Sequence, residues 1–377
     1  MSALGAAAPR VVHVDTERTW GGGQRQLYGL AVGMAGRGLR SWVAARPRSP
    51  LAVGLAAEGV PVVGLSPSFE WDPAAVARLR ALLRSVGADV VHAHAAHAVA
   101  TAALASLGTG TRLLVSRRVA LPLRRNPLSR WKYARSERFI AVSERVRDTL
   151  CAGGIAPERV SVVHSGVDLR QPVGRASVDT LRALGVPEGR ALVVMVSSLI
   201  PPHKDPGTFL VALAAARAAG AEFQALLVGD GPLAGSVERS RRRLGLEGVV
   251  RLTGFRRDAV ELLAAADVAV LSSRDEGLGT TLLDAMAAGV PIVATAAGGV
   301  TEVVRDGVEG LLVPVGDGPA LGAAIARVLR DPGLRAALVA AGRRRVQRFS
   351  IERTVEGTLA VYRSLGRIRG RDGGRSG

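Results

Sequence analysis

The sequence predicts an α/β protein made of two Rossmann-like domains, each with a mostly parallel sheet. Three observations carry that expectation. The chain has 377 residues, beyond the usual size of a single domain. Short apolar runs recur along its whole length, and the segments between them show the helical apolar period. Several of those runs end in a glycine-containing turn that opens a helix, which is the pattern of a βαβ unit. Strands covered by helices on both faces read as continuous apolar runs rather than as alternating ones.

Residues 10–15, RVVHVD, form the first strand. A glycine run, Gly21, Gly22 and Gly23, follows it, and Leu27, Leu30, Ala31 and Met34 then mark one helix face. Free backbone N–H groups at such a helix start suit an anion. Residues 40–45 and 60–65 read as strands and residues 74–86 as a helix. Residues 89–94, DVVHAH, are a strand running into a loop. His92 and His94 alone do not close a zinc site, and no cysteine or carboxylate stands at ligand spacing beside them. His94 is therefore expected either to line a crevice or to sit buried and satisfied. Residues 111–116 form the next strand, with Arg117 and Arg118 at its end, and strands over 139–144 and 160–163 follow. The Pro, Gly and Ser residues of 172–189 put a domain boundary near Pro172.

Residues 191–196 open the second domain, and Lys204, Asp205, Pro206 and Gly207 lead into a helix over 208–219. The strand 223–228 ends in Gly229, Asp230, Gly231 and Pro232. A dinucleotide fingerprint is absent there, because Gly235 comes one position late and Pro232 fits poorly. The strand 249–252 leads to Gly254, Phe255 and Arg256. The most informative stretch is 272–295, SSRDEGLGTTLLDAMAAGVPIVAT, set between apolar runs at 268–271 and 291–294. Its loop holds Glu276, Gly277 and Gly279, and its helix starts near Thr280 or Thr281 and stops at Gly289. The N–H groups of Leu278, Gly279, Thr280 and Thr281 would form an anion site at the carboxyl end of a parallel strand. Glu276 and Asp284 would be repelled by a phosphate, so they serve better as acceptors for hydroxyl groups. A phosphate with several hydroxyls describes a sugar nucleotide. Strand 311–313 and helices over 319–329, 332–345 and 351–365 complete the chain, and the Gly/Arg-rich residues 366–377 are expected to be disordered.

Composition narrows the setting. Aromatics are only 3%, so the core must be Ala, Val and Leu. The single cysteine, Cys151, excludes an internal disulfide and a multi-cysteine zinc site and fits a reducing compartment. Residues 1–10 do not read as a secretory signal. Residues 90–107 carry three histidines and read as strand, loop and helix rather than as a membrane span. The net charge of +18 calls for an Arg-rich solvated surface or an anionic partner. Arg124, Arg125, Arg130, Lys132, Arg135 and Arg138 cluster with Trp131 and Tyr133 against Glu137 alone, a pattern that fits a membrane interface or nucleic acid.

Glu276, Asp284 and the following AMAAGVPIVAT resemble the signature of retaining family 4 glycosyltransferases of the GT-B fold. The W-x-G-G-Q run at Trp20 to Gln24, HSGVD at 164–168 and GDGP at 229–232 are similar to the same family, so the resemblance spans about residues 10–365. It implies two Rossmann-like domains facing a central cleft, with a C-terminal helix crossing back to the first domain. The implied division is an acceptor domain over 1–171, a nucleotide-sugar domain over 172–347, the crossing helix over 348–365 and a tail over 366–377. It implies that Glu276 and Lys204 are the catalytic pair, with Glu276 on the donor sugar and Lys204 clamping the diphosphate. Asp284 would meet the ribose hydroxyls, one methylene shorter than the family's usual Glu. Gly22 and Gly23 would approach the diphosphate and the acceptor. The backbone at Arg256 would read the base. Arg118 would meet donor sugar or acceptor, and His94 would stand on the acceptor side. Ser198 replaces a clamp arginine, a loss of ~1.5–3 kcal/mol for a charge-assisted hydrogen bond, to be offset by Arg118, Arg25 or a metal.

The implied reaction is transfer of a sugar from a nucleotide diphosphate sugar to a hydroxyl acceptor, in cell-envelope glycan or glycolipid synthesis. The sequence calls for no cofactor and no metal. The expected partners are the nucleotide-sugar donor, a sugar, lipid or glycan acceptor and an anionic membrane surface touched peripherally, without nucleic acid. The expected location is cytoplasmic, at the inner membrane face. Two other readings stay open: a hydrolysing sugar-nucleotide epimerase of the same fold, and a basic nucleic-acid-binding protein with steep salt dependence.

Overall fold

The computed structural model describes residues 9–123, 126–170, 173–201 and 203–365. Arg124, Arg125, the boundary expected at Pro172 and the tail 366–377 lie outside the described residues. The chain divides into two compact units. One holds the residues up to Val142, residues Val146–His164 and those from Ile351 onward; the other holds Ser165–Ser350 with Ser143–Arg145.

The first unit is built on β1 (Val11–Asp15), β2 (Ser41–Ala45), β3 (Val62–Gly64), β4 (Val90–Ala93), β5 (Arg112–Arg117), β6 (Arg138–Ala141) and β7 (Val160–Val162). They form one parallel sheet in the order β3-β2-β1-β4-β5-β6-β7. The order reverses between β1 and β4. Loops leaving the carboxyl ends of those two strands diverge, and the gap between them is where open α/β sheets take ligands. Both strands are buried along their whole length, as their Val-rich runs require.

The helix Ile351–Ser364 completes this unit's core with Val355, Leu359, Val361 and Tyr362, packed with Leu30, Met34 and Val90. Two glycines make the approach possible. A Cβ on Gly29 or Gly33 of the helix Gly22–Ala35 would lie 2.8 Å from the side chains of Ile351 and Val355 respectively. Glycine inside a helix costs about 1 kcal/mol relative to alanine, and here the close contact of the two helices offsets that cost.

The second unit has β8 (Leu192–Val196), β9 (Gln224–Val228), β10 (Val250–Gly254), β11 (Val268–Leu271), β12 (Ile292–Thr295) and β13 (Gly310–Val313). These six form a parallel sheet in the order β10-β9-β8-β11-β12-β13, with the reversal between β8 and β11. Its core gathers Val193, Met195, Phe209, Leu213, Val293 and Ile325. Full burial of a Phe or Leu side chain contributes about 1.5–3 kcal/mol.

The expected strands are all present, displaced at their ends by a residue or two, except that β3 keeps only three residues and β6 ends three residues early, at Ala141. Five helices were not anticipated: Pro50–Ala57, Pro127–Ala134, Val178–Ala183, Ala234–Arg243 and Ala259–Ala264. Pro50–Ala57 is capped by Ser49, and Pro127–Ala134 is capped by Asn126, whose Oδ1 accepts from Ser129 N at 2.7 Å. The second of these helices divides the basic cluster. Lys132 and Tyr133 turn inward, with Lys132 Nζ paired to Glu70, while Leu128, Arg130, Trp131 and Arg135 face outward. The cluster is therefore not a single surface. No helix among the described residues is long and apolar enough to cross a membrane.

Candidate active site

In the second unit the loops that follow β8 and β11 stand on either side of the strand reversal, and they are tied to each other. Ser272 Oγ donates to Asp205 O at 2.8 Å, Arg274 N donates to His203 O at 2.7 Å, and Arg274 Nε meets Asp205 Oδ2 at 2.8 Å. Asp205 holds a left-handed conformation with φ 33°, one that Asp tolerates better than most residues. Its carboxylate caps the helix Pro206–Ala218 by accepting from Thr208 N at 3.2 Å. The GDGP turn after β9 braces the same loop. A Cβ on Gly229 would lie 2.0 Å from Ser197 O, and one on Gly231 would lie 2.5 Å from Leu199 O, so only glycine fits at either position.

This bracing delivers Lys204 to Glu276. Lys204 Nζ forms an ion pair with Glu276 Oε1, and the same oxygen accepts from Ser273 Oγ at 2.8 Å. Glu276 is nearly removed from solvent, with its side chain 9% exposed, while that of Lys204 is 26% exposed. A carboxylate so placed requires a charged or hydrogen-bonding partner, because an unpaired buried charge is costly.

Beside the pair lies the start of the helix Thr280–Ala288. Gly279 occupies its N-cap with φ 81°, and no side chain caps it. Among the described residues, the N–H groups of Leu278, Gly279, Thr280 and Thr281 meet no acceptor. Gly277, Leu278 and Gly279 are themselves buried, and Gly299 N donates to Glu276 O at 2.9 Å behind them. The unpaired amides and the helix dipole together favour a negative charge. Asp284 is buried in the second turn of this helix. The Arg256 side chain is held by Asp258 at 2.7 and 2.8 Å, which leaves its backbone position rather than its guanidinium for the expected base contact.

In the first unit the structure gathers Gly23, His94 and Arg118. Arg118 Nη2 donates to His94 Nδ1 at 3.0 Å, and a Cβ on Gly23 would meet Arg118 Cδ at 3.6 Å. Gly22 opens the adjoining helix, whose N-cap, Gly21, makes no side-chain bond. Asp15, at the end of β1, accepts from Gln24 Nε2 at 3.0 Å and from Glu17 N at 2.9 Å. Burial raises its pKa despite those two bonds and the Arg118 charge.

The sequence reading missed His13. Parallel pairing of β1 with β4 sets His13 against His92, and His13 Nδ1 lies 3.0 Å from His94 Nε2. Three buried imidazoles therefore stand together where only two had been counted. Their hydrogen bonds fix the tautomers. Arginine only donates, so His94 Nδ1 accepts from Arg118, His94 Nε2–H donates to His13 Nδ1, and His13 carries its proton on Nε2. That nitrogen is buried with no partner among the described residues. His92 is engaged at both nitrogens, by the Tyr362 hydroxyl at 2.7 Å and by Ser116 Oγ at 2.8 Å. Burial first, and the Arg118 charge second, push the His13 pKa down to about 3. The pKa values of His92 and His94 are lowered in the same way, by burial and then by neighbouring histidines and Arg118. Burial lowers Arg118 to about 10. The arrangement is a neutral hydrogen-bond chain that holds a charged guanidinium.

Arg118 and Arg25 both belong to the first unit. Within the second unit, Arg274 is the cation that shares the two loops with Lys204. The other expected residues fall into two groups, Gly22, Gly23, His94 and Arg118 in one unit, and Lys204, Arg256, Glu276 to Thr281 and Asp284 in the other.

Comparison with known proteins matches both units. A family model described as Glycosyltransferase Family 4 covers residues 20–171, and one described as Glycosyl transferases group 1 covers residues 190–331. The D-inositol 3-phosphate glycosyltransferase of Salinispora arenicola is 37% identical over 223 residues, which cover 55% of this chain and 50% of that protein. The chain spans about half the length of the curated relatives it matches. HepE (Alr3699) of Anabaena, crystallised with UDP and glucose, has a similar fold, with a TM-score of 0.83 at 23% identity, covering 95% of this chain and 100% of that one. A glycosyltransferase from Rickettsia africae gives 0.80 at 20% identity, over 95% and 98% of the two chains. Two parallel sheets with the same strand reversal, each matched by its own family model, place this chain in the family 4, group 1 glycosyltransferases of the GT-B fold.

Proposed function

We propose that the chain transfers a sugar from a nucleotide diphosphate sugar to a hydroxyl acceptor, with retention of anomeric configuration. The observation that carries this reading is the Lys204–Glu276 pair beside four unpaired amides at the strand reversal of the second unit. When the anomeric C–O bond breaks, its electron pair goes to the diphosphate oxygen. Lys204 and the amides of Leu278 to Thr281 stabilise that charge as it develops. Glu276, released from Lys204, accepts from the sugar hydroxyls and orients the ring. The acceptor oxygen bonds to the anomeric carbon on the face the diphosphate leaves, and its proton passes to the departing diphosphate. Asp284 accepts from the ribose, and the backbone at Arg256 meets the base. Gly22, Gly23, Arg118 and His94 form the first unit's contribution to donor and acceptor.

The bound UDP and glucose of HepE make UDP-glucose the first donor to test. The inositol phosphate named for the curated relatives makes a phosphorylated cyclitol the first small acceptor, beside the lipid and glycan acceptors of cell-envelope synthesis. The reading extends to a cytoplasmic location at the inner membrane face, and the outward side of the helix Pro127–Ala134 supports the membrane contact in it. There Leu128 and Trp131 are 60% and 36% exposed beside Arg130 and Arg135, and Phe69 is 61% exposed on the loop whose Trp71 ring packs at a tilt, 5.8 Å between centres, against Trp131.

Transfer assays on Glu276→Ala and Lys204→Ala test the proposal, with melting temperature measured across UDP-, GDP- and ADP-sugars. We expect each variant to lose at least about a hundredfold in kcat/KM, of the order seen when one transition-state contact is removed. The matching donor should raise the melting temperature of the wild type. Full transfer by both folded variants would overturn the assignment, and donor turnover without acceptor would favour the epimerase.

A further inference from the structure

We propose that the second unit carries a separate pocket, remote from the donor loops, that binds a phosphate-type oxyanion. It lies between the turn before β13 and the end of the helix Pro332–Val346. Arg305 and Glu309 line it from the turn, and Arg344, Arg345 and Arg348 line it from the helix and the residues after it, around a cavity of about 150 Å³. The sheet is parallel, so its two edges are chemically distinct. The loops of Lys204 and Glu276 follow β8 and β11, at the carboxyl edge, whereas Arg305 to Glu309 precede β13, at the amino edge. The pocket and the donor loops therefore sit at opposite edges of one sheet.

Four guanidiniums share this pocket with one carboxylate. Glu309 is 2% exposed and already occupied: it accepts from Arg305 N at 2.9 Å, from Arg305 Nε at 3.0 Å and from Arg305 Nη2. Arg345 is anchored, with Nε donating to Val303 O at 3.3 Å and Nη2 to Glu302 O at 2.7 Å, and its guanidinium lies 5.4 Å from the Phe349 ring centre. Arg344 and Arg348 are exposed and pair with no carboxylate among the described residues. Four positions apart on a helical turn, they face the same side, where like charges repel. Burial lowers the Arg345 pKa, the Glu309 charge opposes that, and Arg305 and Arg348 add to the lowering. A concave site with three positive charges in excess, one of them fixed in orientation, concentrates the potential that an oxyanion neutralises. Guanidinium forks match the paired oxygens of a phosphate or diphosphate. The same chemistry is offered by a soluble phosphate compound and by the headgroup of an anionic phospholipid.

Calorimetry with inorganic pyrophosphate, on the full chain and with UDP present to fill the donor loops, tests the soluble source. Co-sedimentation with phosphatidylglycerol vesicles tests the lipid source. Each is run on the wild type, on Arg344→Gln/Arg348→Gln, and on Arg239→Gln/Arg243→Gln, which removes the same charge from another exposed helix of the unit. Loss of at least tenfold in pyrophosphate affinity in the first variant only supports a soluble ligand. The same selective loss with vesicles only supports the headgroup. Equal binding by both variants, or no difference from the wild type in either assay, overturns the pocket. If UDP fails to bind, the proposed transfer reaction is in question, while the comparison of these arginine variants is unaffected.

Discussion

At the scale of single residues, the three histidines make stability depend on pH in a defined direction. Unfolded histidine titrates near 6.5, whereas folded His13 stays neutral down to about 3. Between those values the unfolded chain binds protons that the folded chain refuses. Stability is therefore held above pH 6.5 and falls as pH drops below it, by about 1.4 kcal/mol per pH unit for each buried neutral histidine. Urea unfolding at pH 7.5 and 5.0 should show that fall, and His13→Gln should show a shallower one; an equal slope in the two proteins would mean that His13 is already charged. Glu276 and the glycines beside it could be read from the chain because their spacing is local, whereas Lys204, 72 positions away, was joined to them only through the family resemblance. His13 could not be read in either way. It joins His92 and His94 only because β1 lies beside β4, a neighbour relation that spans about eighty positions and leaves no local trace.

At the scale of elements, the helices Gly22–Ala35 and Ile351–Ser364 depend on a contact that no side chain can occupy. Gly33→Ala gains about 1 kcal/mol in helix propensity. It also puts a methyl 2.8 Å from the stiff Val355 side chain, and overpacking of that kind costs about 1–3 kcal/mol. We expect a net loss of about 1 kcal/mol in urea unfolding; a stabilised variant would show that the helices are farther apart than described. The strands were legible because burial on both faces leaves uninterrupted Val, Ala and Leu runs. The helix Pro50–Ala57 was not, because PLAVGLAA is apolar all round and has no period to detect. The basic run at 124–138 looked like one surface because charge and aromatic content alone do not say which way a side chain turns. Its capped helix sends Lys132 to Glu70 and leaves Leu128 and Trp131 outside.

For the whole molecule, the two-domain count followed from length and from the repeated strand, glycine and helix order, and the net charge of +18 left its meaning open. The exposed apolar pair on the helix Pro127–Ala134 gives that charge a place to act. Leu128→Ser/Trp131→Ser should weaken binding to anionic vesicles by about tenfold or more without altering melting temperature, and added salt should weaken what remains. Unchanged co-sedimentation would remove the membrane from the account. The first unit's core, by contrast, is closed by Val355, Leu359 and Tyr362, and Tyr362 bonds to His92 from 270 positions downstream. A ribosome releases those residues only after the whole of Ser165–Ser350. During synthesis the segment made first therefore holds Leu30, Met34 and Val90 without their cover until the helix Ile351–Ser364 emerges.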